Sequence, residues 1–126
     1  MRKLIIGAAI LVAQMSFAQV TKELGEFDTV KVYDKLSVKL VPSSENKIVI
    51  KGARETELEA VNKNGILKLR MPFPKLLSGN DLDVTLYYKR WELIDVNEGA
   101  LVTGNETIKA TSLKVSAQEG GKINVD

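Results

Sequence analysis

Apolar and polar residues alternate with a period of two along most of this chain, the spacing that puts one face of a β-strand against a core and the other toward water. Leu36-Ser37-Val38-Lys39-Leu40 sets three aliphatics on one side and Ser37 and Lys39 on the other. Lys47-Ile48-Val49-Ile50-Lys51 repeats the pattern after the polar turn Pro42-Ser43-Ser44-Glu45-Asn46. In Asp81 to Tyr88 the inward set is Leu82, Val84, Leu86 and Tyr88. Asn64-Gly65 lies between the apolar runs 58–61 and 66–69 and suits the positive φ angles of a tight hairpin. Residues 71–80, with Pro72, Pro74 and Gly79, read as a loop, and 53–60 alone have the composition of a helical turn.

The last third repeats itself. Ile94-Asp95-Val96-Asn97-Glu98-Gly99-Ala100-Leu101-Val102 overlays residues 115–123 at a constant offset of 21, with apolar on apolar and Glu-Gly on Glu-Gly. Short strands, glycine corners and a period near 20 residues suggest stacked coils, each strand lying parallel to its equivalent in the next. Pattern alone leaves two all-β folds open, a β-solenoid and an antiparallel β-sandwich. In either, Leu82, Val84, Leu86, Ile94, Val96, Val115 and Ile123 are expected inside.

The N-terminus changes the charge argument. Arg2 and Lys3 precede an apolar run from Leu4 to Val12, and Ser16-Phe17-Ala18 places small residues three and one before a cut between Ala18 and Gln19. Residues 1–18 therefore read as a signal peptide, and 19–126 as one domain. The apolar run is too short for the roughly 20 residues that a bilayer requires, so no integral membrane protein is expected. The whole chain carries 18 basic and 16 acidic residues. Loss of Arg2 and Lys3 leaves 16 of each, and that balance argues against nucleic acid as a partner. Cysteine is absent, so the exported domain must stand on its core without disulfides.

Candidate chemistry is thin. The chain has neither histidine nor cysteine, which removes histidine-based triads, thiol nucleophiles and the usual zinc sites. No phosphate-cradling glycine loop or dinucleotide fingerprint is present, and no cofactor is expected. Asp81 and Asp83 share one strand face and could couple as acid and base, but a solvated outer face explains them better. Asp95, Asn97 and Glu98, echoed by Ser116, Gln118 and Glu119, offer hard oxygen ligands, yet polar corners look the same and no metal site is assigned. The most ligand-like feature is the aromatic and basic run Tyr87-Tyr88-Lys89-Arg90-Trp91. Alternation sends Tyr88 inward, and Tyr87, Lys89 and Arg90 are the candidate ligand contacts.

The order and spacing of these blocks resemble one family. Phe27-Asp28-Thr29-Val30-Lys31-Val32 followed by residues 36–40, then 58–69 with its Gly65-Ile66-Leu67-Lys68-Leu69 end, then 83–87 and 93–100, are similar to the successive blocks of the auto-transporter adhesin head GIN domain family. The resemblance covers residues 27–126. It implies a right-handed parallel β-helix with an N-terminal hairpin region, exported by bacteria of the Bacteroidota type to the periplasm, cell surface or exterior. It also implies non-catalytic adhesion to a surface protein or glycan, with a glycan-binding or polysaccharide-processing β-helix as the alternative. Two differences stand out. Residues 88–91 replace a proline and a leucine common in the family, which implies that Trp91, standing where the family has an inward leucine, plugs the core near a corner. The chain also stops at Asp126 where family domains continue through further coils. A C-terminally incomplete domain is therefore expected, with an open strand edge over residues 122–126 that further coils or a second copy would cover.

Overall fold

The computed structural model describes residues 19–52, 57–72 and 82–126. The signal segment 1–18 and Asp81 lie outside them, as do residues 53–56 of the 53–60 segment and 73–80 of the 71–80 segment. Eleven strands follow one another: β1 (Gln19–Glu23), β2 (Thr29–Val32), β3 (Ser37–Pro42), β4 (Lys47–Lys51), β5 (Glu59–Lys63), β6 (Ile66–Arg70), β7 (Asp83–Tyr88), β8 (Leu93–Val96), β9 (Leu101–Gly104), β10 (Lys114–Ala117) and β11 (Lys122–Asn124). Helical composition at 57–60 does not prevail, because Glu59 and Ala60 already pair in β5. The Asn64-Gly65 hairpin forms as its sequence requires, with φ of 56° and 83°.

Two mixed sheets result. One runs β1-β4-β7-β3-β9-β11, the other β10-β8-β2-β6-β5. The chain crosses from the five-stranded to the six-stranded sheet at β2–β3, again at β8–β9 and again at β10–β11. Pairing between these units is parallel, so neither sheet is the antiparallel layer of a simple sandwich. Lys114 pairs with Leu93 and Lys122 with Leu101, so the 21-residue internal repeat is the strand register in both sheets. The same geometry recurs at an offset of 64, where Thr29 pairs with Leu93 and Ser37 with Leu101. The first unit in sequence thus sits in the middle of the stack, with β8–β9 on one side and β6 and β7 on the other.

Side-chain alternation turns this register into continuous apolar rows. Val20, Ile50, Val84, Val38, Val102 and Ile123 line up across the six-stranded sheet. Leu67, Val30 and Ile94 line up across the other. One core lies between them. Leu82, Val84, Leu86, Ile94 and Val96 are buried as expected. Val115 is not: it is 53% exposed, and Ile123 is only half-buried. Both occupy inward positions, but β10 and β11 each have a neighbouring strand on one side alone among the described residues, so the core thins out there.

Three superimposable corners join the sheets. Leu36 N donates to Tyr33 O, Ala100 N to Asn97 O and Gly121 N to Gln118 O. The two central residues of each corner have positive φ: Asp34 and Lys35 at 60° and 61°, Glu98 and Gly99 at 52° and 72°, Glu119 and Gly120 at 51° and 80°. This is the mirror-image turn that favours glycine, and Lys35 takes it without being one. Successive corners are stitched together by Lys35 N to Glu98 O and Gly99 N to Glu119 O, both 3.0 Å.

Candidate functional site

At the opposite end of the five-stranded sheet, between β7 and β8, Trp91 is 2% exposed and plugs the core. Its ring packs 5.0 Å from that of Tyr88 and 5.5 Å from that of Phe27, centroid to centroid. Its Nε1 is buried and makes no hydrogen bond of good geometry, although it lies near enough to Tyr88 to ease that residue's ionisation. Burial and the Glu106 charge outweigh that influence and push the Tyr88 phenol up. Trp91 is therefore a core residue, as the resemblance implies.

The three candidate contacts do not converge. Tyr87 is half-buried on the outer side of the six-stranded sheet, where Lys47 Nζ sits 5.0 Å over its ring. Lys89 is held on two sides: its backbone N–H donates to Asn46 Oδ1 at 3.0 Å and its ammonium to Glu26 Oε1 at 2.7 Å. That bond and the Lys89 charge keep the Glu26 carboxyl below the usual carboxylate range. Arg90 is loosely tied to Asp28, 3.9 Å away, with 71% of its side chain exposed.

Arg90 instead joins residues that the sequence reading did not single out. With Trp91 and Glu92 it borders a cavity of about 520 Å³, closed on the other side by Lys109, Thr111, Ser112 and Lys114. The β10 strand positions that wall, through Lys114 N donating to Glu92 O at 2.9 Å. Three cations, two hydroxyls and one carboxylate thus surround a polar hollow. The only sequence signal for it was Arg90; the 109–114 segment has no motif and is brought there by strand register.

The other chemistry read from the sequence is dispersed. Asp83 is exposed and stands opposite Lys51 on one side and Ser37 on the other. Asn97 is buried, whereas Asp95 faces outward and Glu98 is turned toward the corner, where the Asp34 side chain raises its carboxyl above the usual range. Among the described residues no three acidic side chains gather as a metal site. Ser44 and Lys47, which the sequence reading did not single out, have the spacing of a serine–lysine dyad, but Lys47 Nζ lies 3.4 Å from Glu45 Oε2 and over the Tyr87 ring.

Comparison with known proteins places this arrangement. A search of curated proteins finds no match. A "putative adhesin" of Bacteroides fragilis superimposes with a TM-score of 0.75 at 12% identity, over 85% of this chain and 51% of the other. A "putative adhesin" of Parabacteroides merdae gives 0.69 at 16%, over 79% and 42%. A "putative lipid binding protein" of Parabacteroides distasonis gives 0.60 at 10%, over 81% and 47%. At such identities the likeness shows a shared fold, and the chain spans about half the length of these structures. The family described as "Putative auto-transporter adhesin, head GIN domain" matches residues 26–126. Because that match takes in every strand but β1, the chain belongs to this head GIN domain family.

Proposed function

We propose that this chain is an exported, non-catalytic adhesion module that binds a surface protein or glycan through side chains displayed on its sheets. The observation that carries the reading is the cavity bordered by Arg90, Lys109 and Lys114 with the Thr111 and Ser112 hydroxyls. These groups hold a polar ligand by charge and hydrogen bonds. Export is supported by the basic, apolar and small-residue order of residues 1–18. The parallel units at offsets of 21 and 64 support a short β-helix as the scaffold, capped by the antiparallel strands β4, β1 and β5. The unpaired edges of β10 and β11 support self-association as a further mode of contact.

Retention of purified chain on bacterial and epithelial cells, with a glycan array in parallel, tests this reading. Binding weakened by Arg90→Glu or Lys114→Glu is the expected result. Absence of retention on every surface sinks it. Release of reducing or unsaturated ends from a bound polysaccharide would favour the processing alternative instead.

A further inference from the structure

We propose that the outward face of the five-stranded sheet is a track for a linear acidic polysaccharide, running from the Arg90–Lys114 cavity to the β5–β6 hairpin; this rests on the surface-binding reading above. Strand register lays the track out. One outward row reads Lys63, Ile66, Thr29, Leu93, Lys114, and its neighbour reads Val61, Lys68, Lys31, Asp95, Ser116. Five strands at about 4.8 Å spacing separate the ends of each row by roughly 19 Å. Lys114 belongs both to the first row and to the cavity. At the far end a second hollow of about 300 Å³ is bordered by Val61, Lys63, Asn64, Ile66, Lys68 and Arg70.

Charge on this face is not balanced as it is over residues 19–126. Arg70 is bound to Glu59 at 3.0 Å, and Arg90 loosely to Asp28. Lys31, Lys63, Lys68, Lys109 and Lys114 make no ion pair among the described residues, against Glu92 and Asp95 on the same face. Lys31 and Lys68 stand directly opposite each other in neighbouring strands, an unfavourable pairing that a bound anion relieves. The hydroxyls of Thr111 and Ser112 beside Lys109 and Lys114, with Ser116 in the next row, match the donors and acceptors of a sugar, whereas Thr29 is buried and donates to Asp28 Oδ1. Val61 and Ile66, 50% and 38% exposed, offer an aliphatic floor to its C–H faces. A single-stranded nucleic acid would look for stacking rings, whereas Trp91 is buried and Tyr33 is half-buried at the margin.

Titrating the chain with polygalacturonate and heparin, each as polymer and as short oligosaccharide, tests the track. Dextran, single-stranded DNA and polyglutamate serve as competitors. The expected result is binding of an acidic polysaccharide that weakens about tenfold or more between 50 and 500 mM salt, as charge pairing requires. The double variant K63E/K68E should lose about tenfold or more on the polymer and little on the short oligosaccharide, while K114E weakens both. Circular dichroism confirms that these exposed substitutions leave the fold intact. Equal binding of dextran, preference for DNA or polyglutamate, or a polymer affinity untouched by K63E/K68E overturns the proposal. Retention on cells without any binding of acidic polysaccharide overturns the track and leaves the adhesion reading standing.

Discussion

Asp34 and Glu98, 64 residues apart in sequence, occupy the same position in adjacent corners of the stack, where their carboxyls act on one another. The Asp34 side chain is the largest influence on Glu98; burial and the Glu119 charge add to it, and together they raise the Glu98 carboxyl above the usual range. An acid whose folded value is raised stabilises the fold while it is protonated. That contribution is complete below the unfolded value, about 4.3 for glutamate, and is lost as pH climbs through the folded value. Glu98→Gln should therefore melt higher than the parent at pH 7, with the gap closing toward pH 4. The comparison is made at each pH against the parent, because Glu26, held down by Lys89, shifts stability in the opposite direction. A gap that widens on acidification would mean that the fold holds the Glu98 carboxyl below its usual range instead.

The same corner makes a prediction about backbone strain. Lys35 has φ of 61° where the equivalent Gly99 and Gly120 have 72° and 80°. A side chain in that region costs about 1–2 kcal/mol, less the entropy that glycine loses on folding. Lys35→Gly should stabilise the fold by roughly 0.5–1 kcal/mol, read from urea unfolding. A methyl built at Gly99 meets Lys35 Cγ at 3.2 Å. Gly99→Ala should consequently cost less in the Lys35→Gly background than in the parent, and equal costs would show that the two corners are independent.

These corners mark where the sequence could and could not be read. Alternation fixes which face of each strand turns inward, so the cores of β3, β4 and β7 and the Asn64-Gly65 hairpin were visible from local pattern. The 21-residue register was visible as well, because Glu-Gly recurs in Glu98-Gly99 and Glu119-Gly120. The equivalent corner at Asp34-Lys35 was not, since lysine stands where the motif has glycine and its partner strand is 64 residues away. Parallel pairing leaves no turn between partners to announce it. Val115 shows the complementary limit: its inward direction follows from alternation, but burial requires a neighbour on both sides, and β10 has β8 alone. The cavity was legible only as Arg90, because its other wall arrives through that same long-range register.

Val84 probes the register of the six-stranded sheet. It is 3% exposed and lies between Ile50 and Val38 in the apolar row. Val84→Asp strands a charge without a partner and should cost several kcal/mol, enough to abolish a cooperative melt at moderate temperature. Thr85→Asp, one position along and half-buried on the outward side, should change the melt by only a few degrees. If the two variants behave alike, the face assignment of β7 is wrong.

Trp91 separates packing from hydrogen bonding at the cavity wall. Its ring fills the space between Phe27 and Tyr88, so Trp91→Ala should cost about 3–5 kcal/mol through lost contact and the void left behind. Its N–H is buried without a well-formed hydrogen bond, a condition that costs about 1–3 kcal/mol in the parent. Trp91→Phe keeps most of the ring contact and removes the orphaned donor, so the two effects oppose and the net loss should stay below about 1.5 kcal/mol. Denaturant unfolding of both variants gives the comparison, and iodide quenching of the parent checks that the indole is shielded. A Trp91→Phe loss approaching that of Trp91→Ala would show that the N–H is bonded in the folded chain, with the Tyr88 hydroxyl as its acceptor. In that case Tyr88→Phe would reproduce the loss, and Trp91→Phe in the Tyr88→Phe background would add little to it.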